Sequence, residues 1–392
     1  MNFSARTAWD LSERALAQQL RERRERGAEL FDLTLSNPTA CGFLYDANDL
    51  LPPLAQPASL AYDPQPFGLA SARAAVAQYY RDHGAEIPIQ QLCLTTSTSE
   101  AYSFLFRLLC DPGDEVLIAR PSYPLFDFIA QLDSVRLREY PLRYDPGASS
   151  NSAHAWSIDF EALRAAITAR TRAIIVVHPN NPTGNYVSTV ERETLEALCA
   201  EHNLALIADE VFLDYPHTPT HPPPSFAART GPALCFVLSG LSKVSALPQM
   251  KLSWIAACGP EPALRDALAR LEIIADTFLS VNAPTQVALP HWLTRRSILQ
   301  DQILERLNRN LAALDRRLRG TSAQRLALEG GWTAVLRVPR SIAGQDFAEA
   351  ALGRGVLTQP GEFYGLPEGR LVLSLLTPPE IWDNGLALLP ID

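Results

Sequence analysis

Three polar side chains of different chemistry follow three apolar segments of the sequence. Asn181 stands in "NNPTG" after "AIIVVH", Asp209 ends "LALIAD", and Lys243 follows "LCFVL" in the stretch "SGLSKVSALPQMKLSW". A lysine amine can form a Schiff base with a carbonyl group when a pocket holds it in place. Because a lysine taken alone is most often a solvated surface charge, the hypothesis of a site depends on the combination and not on Lys243 alone.

The elements that must position these side chains are buried strands. Apolar runs begin near residues 115 ("EVLIA"), 173 ("AIIVVH"), 204 ("LALIAD"), 234 ("LCFVL") and 254 ("WIAAC"), with helical patterns between them. Runs that are apolar on both faces predict a parallel sheet covered by helices on both sides. Ligands of such sheets bind beyond the carboxyl ends of the strands, which is where the three polar side chains stand.

The remaining pattern predicts a second, smaller domain. A helical stretch at about 286–319 leads to "EGGWTAVLRV" and "GRLVLSLL", which read as strands, and the proline-rich "HTPTHPPPSF" reads as a rigid loop. We predict an N-terminal arm, 1–45, that forms part of the small domain. A large domain, 46–285, and a small C-terminal α+β domain, 286–392, follow.

Composition narrows the class of protein. The chain has 392 residues, a net charge of −9, 47% hydrophobic and 20% charged residues, which is ordinary for a globular enzyme. The acidic balance argues against nucleic acid and anionic membranes as partners. Six scattered cysteines without a CxxC pair or a histidine cluster predict neither a metal site nor disulfides. No apolar run is long enough for a signal peptide or a spanning helix, so we expect a cytoplasmic protein.

The three side-chain types together meet the needs of a pyridoxal phosphate site. A lysine amine can hold the aldehyde of that cofactor, and a carboxylate facing the pyridine nitrogen keeps the ring protonated. An amide facing the ring oxygen tunes the cofactor's acidity. The segment "TSTSE" precedes a helix that begins near Glu100, so the amides of Ser97, Thr98 and Ser99 are predicted to bind a phosphate. An ordinary helix N-cap is the alternative interpretation of these hydroxyls.

Over nearly its whole length the sequence resembles the fold type I pyridoxal phosphate enzymes, in particular the class I and II aminotransferases. The motifs that carry the resemblance are "YDPQPFGLASAR", "TTSTSEAYSFLFRLLCDPGDEVLIARPSYPLF", "NNPTG", "DEVF", "GLSKVSALPQMKLSW", "QPGEFYG" and "GRLVLSLLTPPE". The resemblance implies an α/β fold similar to that of aspartate aminotransferase. Its large domain would contain a mostly parallel sheet sandwiched by helices and would bind pyridoxal 5'-phosphate.

The resemblance also implies roles for single residues. Lys243 is expected to form the Schiff base, Asp209 to face the pyridinium, and Asn181 to donate to the ring oxygen and to contact substrate. Tyr123 in "PSYP" matches the aromatic residue that stacks on the cofactor ring. Tyr62 matches a tyrosine that reaches the phosphate of the neighbouring subunit, which implies a homodimer with composite active sites.

Around the phosphate the sequence departs from the family's pattern. Lys251 stands eight residues after Lys243, where the family usually has an arginine, and it supplies the charge without the planar fork. Gly240 replaces a serine that often binds the phosphate, although Ser239 and Ser242 remain as candidate phosphate ligands.

Two further departures concern the ring and the helix start. Phe212, three residues after Asp209, replaces the tyrosine that usually donates to the ring oxygen, which leaves Asn181 alone in that role. Ser97 occupies a position that is usually glycine.

Substrate binding is the least determined part of the site. Arg370 in "GRLVLSLLTP" fits the arginine that holds the substrate α-carboxylate if the spacing of aspartate aminotransferases applies, and a bidentate arginine suits a carboxylate. With the shorter spacing of other subgroups the same position is Val372. In that case another residue holds the substrate, or the substrate is not an α-amino acid. We predict that His178 and Trp332 are packing residues.

The resemblance implies an aminotransferase that moves an amino group from an amino acid to a 2-oxo acid. A pyridoxal phosphate lyase, decarboxylase or racemase on the same scaffold is an alternative, because these enzymes use the same site. A regulatory protein with a transferase-like domain is a third reading, and the acidic charge and the lack of a DNA-binding extension argue against it.

Overall fold

The computed structural model describes residues 2–149, 154–217, 223–338 and 344–391. The strands are β1 (Phe31–Asp32), β2 (Leu92–Thr95), β3 (Glu115–Arg120), β4 (Arg136–Tyr144), β5 (Trp156–Ile158), β6 (Thr171–Val177), β7 (Ala205–Asp209), β8 (Cys235–Gly240), β9 (Ser253–Cys258), β10 (Gln324–Arg325), β11 (Thr333–Arg337), β12 (Val356–Leu357), β13 (Gln359–Pro360) and β14 (Arg370–Ser374).

The helices alternate with the strands through the first two thirds of the chain. They are α1 (Ala15–Glu25), α2 (Ala47–Leu50), α3 (Ala70–Asp82), α4 (Thr98–Leu109), α5 (Phe126–Leu132), α6 (Phe160–Ala166), α7 (Thr189–His202), α8 (Leu241–Val244), α9 (Glu261–Phe278), α10 (Ala283–Thr294), α11 (Ser297–Arg317), α12 (Gly344–Gly353) and α13 (Pro379–Leu388).

The large sheet has the strand order β2-β9-β8-β7-β6-β3-β4-β5. Strands β8, β7, β6, β3 and β4 are mutually parallel, which confirms the mostly parallel sheet expected from the apolar runs. The "WIAAC" strand, β9, is different: it lies antiparallel between β8 and β2, so including it in the parallel set was wrong. The connection from β8 to β9 is short and contains only α8 and one 3-10 turn, so the chain returns in the opposite direction.

The central strands of the large sheet, β6 to β9, are buried because successive side chains pack on different helix layers. In β7, Leu206 and Ala208 pack in the cluster that contains residues of α3, α7 and α10. Ile207 packs in the cluster that contains residues of α4 and α9. Side chains alternate between the faces of a strand, so each apolar run must be apolar throughout.

A second, smaller sheet has the antiparallel order β10-β11-β14-β13, and β1 pairs in parallel with β12. The N-terminal arm thus joins elements from the end of the chain, and the Ser374 amide donates to Leu33 O at 2.7 Å. The stretch expected to be one helix at about 286–319 forms two, α10 and α11. Helix α10 crosses the predicted boundary at 285/286 and packs on α3. The exact division into domains stays a prediction.

Part of the proline-rich loop expected at 217–226 lies outside the described residues, since the structure describes only 217 and 223–226 of it. Within the described ranges, none of the helices combines the length and the apolar character that crossing a bilayer requires.

Candidate active site

A cavity of about 340 Å³ lies between the carboxyl ends of the large sheet and the small sheet. The ends of β6, β7 and β8 contribute Val177, Asp209 and Gly240, while β11 and β14 contribute Thr333 and Val372. Most of the side chains singled out in the sequence line this one cavity: Ser97, Thr98, Ser99, Tyr123, Asn181, Asp209, Ser242, Lys243 and Lys251.

Lys243 lies in α8, directly after β8, and its amine is surrounded by aromatic rings. Nζ lies 4.7 Å from the ring centroid of Trp332 and 5.7 Å from that of Phe212. Burial lowers the pKa of Lys243 to about 8, against the opposing effect of the Asp209 charge. The Tyr215 hydroxyl donates to the backbone oxygen of Lys243 at 2.6 Å, which fixes the turn that carries the lysine. The amine is therefore neutral in an appreciable fraction of molecules near neutral pH.

Asp209 ends β7 and is buried. Burial raises the pKa of this carboxyl to about 6, while bonds from the Val211 amide and the Tyr102 hydroxyl and the Lys243 charge act in the opposite direction. The Tyr102 hydroxyl donates to Oδ2 at 3.0 Å and the Val211 amide to Oδ1 at 3.2 Å. The carboxylate is thus held in one orientation from two sides.

Sequence reasoning missed Tyr102. This residue lies on α4, in a run of buried residues that reads as ordinary core. The available signal was the hydroxyl itself, because a fully buried tyrosine normally finds a hydrogen-bond partner. Tyr102 lies near the start of the helix that follows β2 at the same edge of the sheet, so the partner had to come from a neighbouring strand end.

Asn181 and Tyr123 line the cavity beside the carboxylate. Asn181 follows β6, and its buried Oδ1 has no hydrogen-bond partner within the described residues. Tyr123 is 38% exposed and packs edge-on against Phe126, with ring centroids 6.0 Å apart. Burial and the Asp209 charge raise the pKa of the Tyr123 phenol, so it stays protonated.

The hydroxyls of "TSTSE" lie at the start of α4. Ser97 Oγ accepts from the Glu100 amide at 3.1 Å, so Ser97 is the helix N-cap and also lines the cavity. Its φ of −163° is extended backbone, which any residue adopts, and this explains why serine is accepted at a position that is usually glycine. Thr98 and Ser99 occupy the first turn, where the helix dipole favours an anion.

Ser253, the first residue of β9, and Lys251, two residues before it, line the same end of the cavity. The backbone pairs Ser253 with Thr95 of β2 on one side and with Gly240 of β8 on the other. A Cβ at Gly240 would lie 2.1 Å from Ser253 Oγ, so the glycine leaves the space that the Ser253 hydroxyl fills. Ser253, which sequence reasoning missed, therefore brings a hydroxyl where Gly240 lacks one. The available signal in the sequence was the serine of "KLSW", which lies on the strand that pairs with the strand carrying Gly240.

Three predicted residues do not line the cavity. Ser239 is buried next to Gly240, and because neighbouring strand residues face opposite sides, its side chain lies away from the cavity that Gly240 lines. Arg370 lies at the start of β14 outside the lining, whereas Val372, which the shorter alignment puts in its place, lines the cavity. The role of Arg370 stays a prediction. Tyr62 is 84% exposed and borders a separate cavity of about 160 Å³. Its expected contact with a partner subunit stays a prediction.

Of the two residues predicted to be packing residues, His178 lies outside the cavity lining and Trp332 is part of it. His178 is buried, its Nδ1 accepts from the Val187 amide at 3.0 Å, and burial lowers its pKa to about 3, which suits a packing role. Trp332 does pack on Phe212 and Tyr215, but it also lines the cavity beside the Lys243 amine. Treating Trp332 as packing alone was therefore incomplete.

Comparison with known proteins places the chain in a family. The model of the family described as "Aminotransferase class I and II" matches residues 53–382. The chain is 29% identical over 271 residues to the glutamate-pyruvate aminotransferase AlaA of Escherichia coli K12, a match that covers 68% of this chain and 64% of that protein. It is 28% identical over 287 residues to the alanine aminotransferase of Mycobacterium tuberculosis H37Rv, covering 71% of this chain and 63% of that one. The matches thus span less than two thirds of these relatives' length.

Solved structures support the same conclusion for the fold. The alanine aminotransferase of Pyrococcus furiosus superposes with a TM-score of 0.87 at 23% identity, over 99% of this chain and 98% of that one. A mutant aspartate aminotransferase of Thermus thermophilus superposes with a TM-score of 0.81 at 23% identity, over 99% and 98% of the two chains. With the family model covering most of its length, the chain belongs to the class I and II aminotransferases and has their fold type I architecture.

Proposed function

We propose that the protein is a pyridoxal 5'-phosphate-dependent aminotransferase that moves an amino group from an amino donor to an oxo acceptor. The sequence-based prediction is an amino acid as the donor and a 2-oxo acid as the acceptor. The observation that carries the proposal is the meeting of Lys243, Asp209 and Asn181 in one cavity, beside hydroxyls and a second lysine. The names of the relatives, which act on glutamate, pyruvate or alanine, support transfer of an amino group.

The residues present fit this cofactor. The cavity volume of about 340 Å³ lies within the roughly 300–1,000 Å³ typical of small-molecule sites. Asn181 offers a buried amide whose oxygen has no partner in the described residues, and rotation of that amide exchanges its oxygen for a donor. The Lys243 amine has a lowered pKa, as an amine that reacts with an aldehyde needs.

Each residue would act on a defined part of the site. When bound, pyridoxal phosphate supplies an electron sink for the carbon that carries the amino group. The Asp209 carboxylate, oriented by Tyr102 and Val211, would hold a proton on the pyridine nitrogen. Lys243 Nζ would hold the cofactor's aldehyde carbon and then move a proton at the substrate carbon. Trp332 and Phe212 would exclude water from this amine.

The phosphate would lie at the common end of β2, β8 and β9. Thr98 and Ser99 at the start of α4, Ser242 in α8, and Ser253 and Lys251 from the β9 side all line this part of the cavity. Their backbone positions are linked by the strand pairing of Thr95 and Gly240 with Ser253. A lysine at 251 would supply charge to the phosphate without a bidentate contact.

A homodimer with composite sites belongs to the same proposal. The high exposure of the Tyr62 side chain supports a role that depends on a second copy of the chain, since the described residues of its own subunit leave most of the side chain uncovered. Sedimentation of the holoenzyme, combined with the cofactor affinity of Tyr62→Phe, tests this part. A fully active monomer at high dilution contradicts it.

The test of the proposed function is trapping followed by product analysis. Borohydride reduction of the holoenzyme should attach the cofactor to the peptide that contains Lys243, and Lys243→Ala should abolish both trapping and turnover. With a donor and an acceptor together, one new amine should form for each donor consumed. A lyase, decarboxylase or racemase would consume or convert the donor without making that second amine. Trapping on another lysine removes Lys243 from its role.

A further inference from the structure

The side of the cavity opposite the phosphate end is formed by the small sheet and the arm, and we call it the substrate wall. It consists of Thr34, Thr333, Gln359, Tyr364, Val372 and Ser374. Thr34 follows β1, Tyr364 ends a 3-10 turn, and the others lie on β11, β13 and β14. A substrate whose reacting carbon lies within reach of Lys243 would extend toward this wall, because the phosphate end is built on other strands.

The substrate wall contains no cation. Among the described residues that line the cavity, the positively charged side chains are Lys243 and Lys251. Lys243 is needed for the cofactor, and Lys251 lies at the β9 end, two residues before Ser253. The arginine nearest in sequence to Val372, Arg370, lies outside the lining, and its Nη1 donates to Gly369 O at 3.1 Å.

Valine occupies the centre of this wall by strand register. Val372 pairs with Val335 on one side and with Gln359 on the other, and it is 2% exposed. Arg370 lies two residues along the same strand, about 7 Å away at the usual rise per residue. The guanidinium expected from the longer alignment is therefore replaced by an aliphatic side chain.

The hydroxyl groups of the wall already donate their hydrogens inside the protein. Ser374 Oγ donates to Leu35 O at 2.5 Å, and Thr333 Oγ1 donates to Pro182 O at 2.9 Å.

Two more hydroxyls are committed in the same way. The Tyr364 hydroxyl donates to Gln359 Oε1 at 2.6 Å, and Thr34 Oγ1 donates to Asp32 Oδ1 at 2.6 Å. A hydroxyl has one hydrogen and two lone pairs, so these oxygens can accept from a ligand but cannot also donate to it. The Ser36 hydroxyl and the Gln359 amide are neutral donors at this side of the cavity.

A carboxylate is a poor ligand for such a wall. It would lose its hydration in a cavity without gaining a charged partner. Apart from the neutral donors of Ser36 and Gln359, it would face hydroxyl oxygens that offer lone pairs instead of hydrogens. A hydroxyl, an amide or an alkyl group would suit the wall, because the first two can donate to its acceptors and the last can pack on Val372.

We propose, on the basis of the proposed aminotransferase function, that the preferred donor carries no carboxylate on the carbon that bears its amino group. The donor is a primary amine with an uncharged group there, such as an amino alcohol, and the preferred acceptor is the corresponding kind of aldehyde or ketone. The donor carbon is oxidised from amine to carbonyl while the acceptor carbon is reduced from carbonyl to amine. The exchange therefore balances without an external oxidant.

The test compares matched donors in single turnovers of the holoenzyme. L-alanine and L-alaninol share a skeleton and differ only in a carboxylate or a hydroxymethyl group, and a set of other α-amino acids with their amino alcohols extends the pair. The change in cofactor absorbance gives a rate constant and an affinity for each donor. We expect the rate constant divided by the dissociation constant to be about tenfold or more higher for each amino alcohol than for its matched amino acid. The reason is that no charge-assisted contact stabilises a bound carboxylate.

Each outcome of this comparison decides the proposal. Equal or faster conversion of the α-amino acids overturns the inference and leaves the aminotransferase function intact. Absence of conversion by both classes, with normal borohydride trapping on Lys243, overturns the inference as well. Absence of conversion by both classes, together with failure of borohydride trapping on Lys243, overturns both.

A substitution at the wall provides the second measurement. Val372→Arg introduces the missing guanidinium, and we expect it to shift the preference toward L-alanine by about tenfold or more. Val372→Met, of similar length without charge, is the matched control and should keep the preference for L-alaninol. If Arg370→Ala in the natural background selectively abolishes conversion of L-alanine, Arg370 holds a carboxylate and the inference is wrong.

Discussion

The two sides of the cavity are built on different principles. The cofactor side is rich in charge, with Lys243, Lys251, Asp209 and the start of α4, all at the ends of strands of the large sheet. The substrate wall is neutral and is formed by short strands of the small sheet and by the arm. A site can thus keep strong electrostatics toward one ligand while its opposite side, a few residues away, offers only packing and neutral hydrogen bonds.

The largest expected effect comes from the charge of the cofactor side. Asp209→Asn keeps the shape but removes the carboxylate that would hold the pyridine proton, so we expect kcat to fall by about 10²–10³-fold. The loss should be the same for amino acid and amino alcohol donors, because this charge acts on the cofactor. Steady-state kinetics with both donors measure it.

Tyr102→Phe is the matched control for Asp209→Asn. It removes one donor to the carboxylate, raises the pKa of Asp209, and should move the acid limb of the rate profile to higher pH with a far smaller loss of rate. A loss in Asp209→Asn that affects one donor class only would break the contrast between the two sides of the cavity.

A smaller effect is expected at the phosphate end. Ser253→Ala removes one hydroxyl from the predicted phosphate site, and we expect the dissociation constant of the cofactor to rise about tenfold, the usual effect of losing a bond to a charged group. Equilibrium titration of the apoprotein, followed by absorbance, measures this without turnover.

Ser239→Ala is the control for the phosphate end, since Ser239 is equally buried and lies one residue from Gly240 without lining the cavity. Unchanged affinity in Ser253→Ala with a loss in Ser239→Ala would reverse the assignment of the two serines.

The smallest effect concerns stability and pH. Burial lowers the pKa of Lys243 to about 8 from 10.5, so between these values the unfolded chain binds more protons than the folded one. Stability therefore rises with pH across this window, and the penalty for the buried charge is fully present below pH 8. We expect the free energy of unfolding of the apoprotein to gain about 2 kcal/mol from pH 8 to 10 relative to Lys243→Met. Urea denaturation at both pH values measures the difference, and a parallel response of the two proteins contradicts the lowered pKa.

The sequence predicted five of the eight strands of the large sheet, because buried strands are continuous apolar runs and the polar residues after them stand out. It missed β2, β4 and β5, which are short or, in β4, partly exposed and without a continuous apolar run. It did not predict the direction of β9, since a strand buried on both faces has the same pattern in either direction. The family and fold expected from the motifs are confirmed by the comparisons. The roles of the single residues stay predictions.

The parts that sequence alone could not provide depend on register and on contacts between distant segments. The choice between Arg370 and Val372 is a shift of two residues on one strand, which leaves the hydrophobic alternation unchanged. Tyr102 lies next to Asp209 only because α4 packs beside β7's end, and their positions are 107 residues apart. Ser253 becomes relevant only through its pairing with Gly240.

The pairing of Gly240 with Ser253 also constrains how this site can change by mutation. A side chain at 240 would meet not only the Ser253 hydroxyl but also the Ser253 Cα, at 2.9 Å, so even a smaller residue at 253 leaves the new side chain against backbone. A single substitution of Gly240 by serine is therefore expected to destabilise the protein, because β8 and β9 would have to move apart to admit it. Position 253 is therefore expected to tolerate substitution better than position 240, because only a side chain at 240 would lie against the backbone of the neighbouring strand.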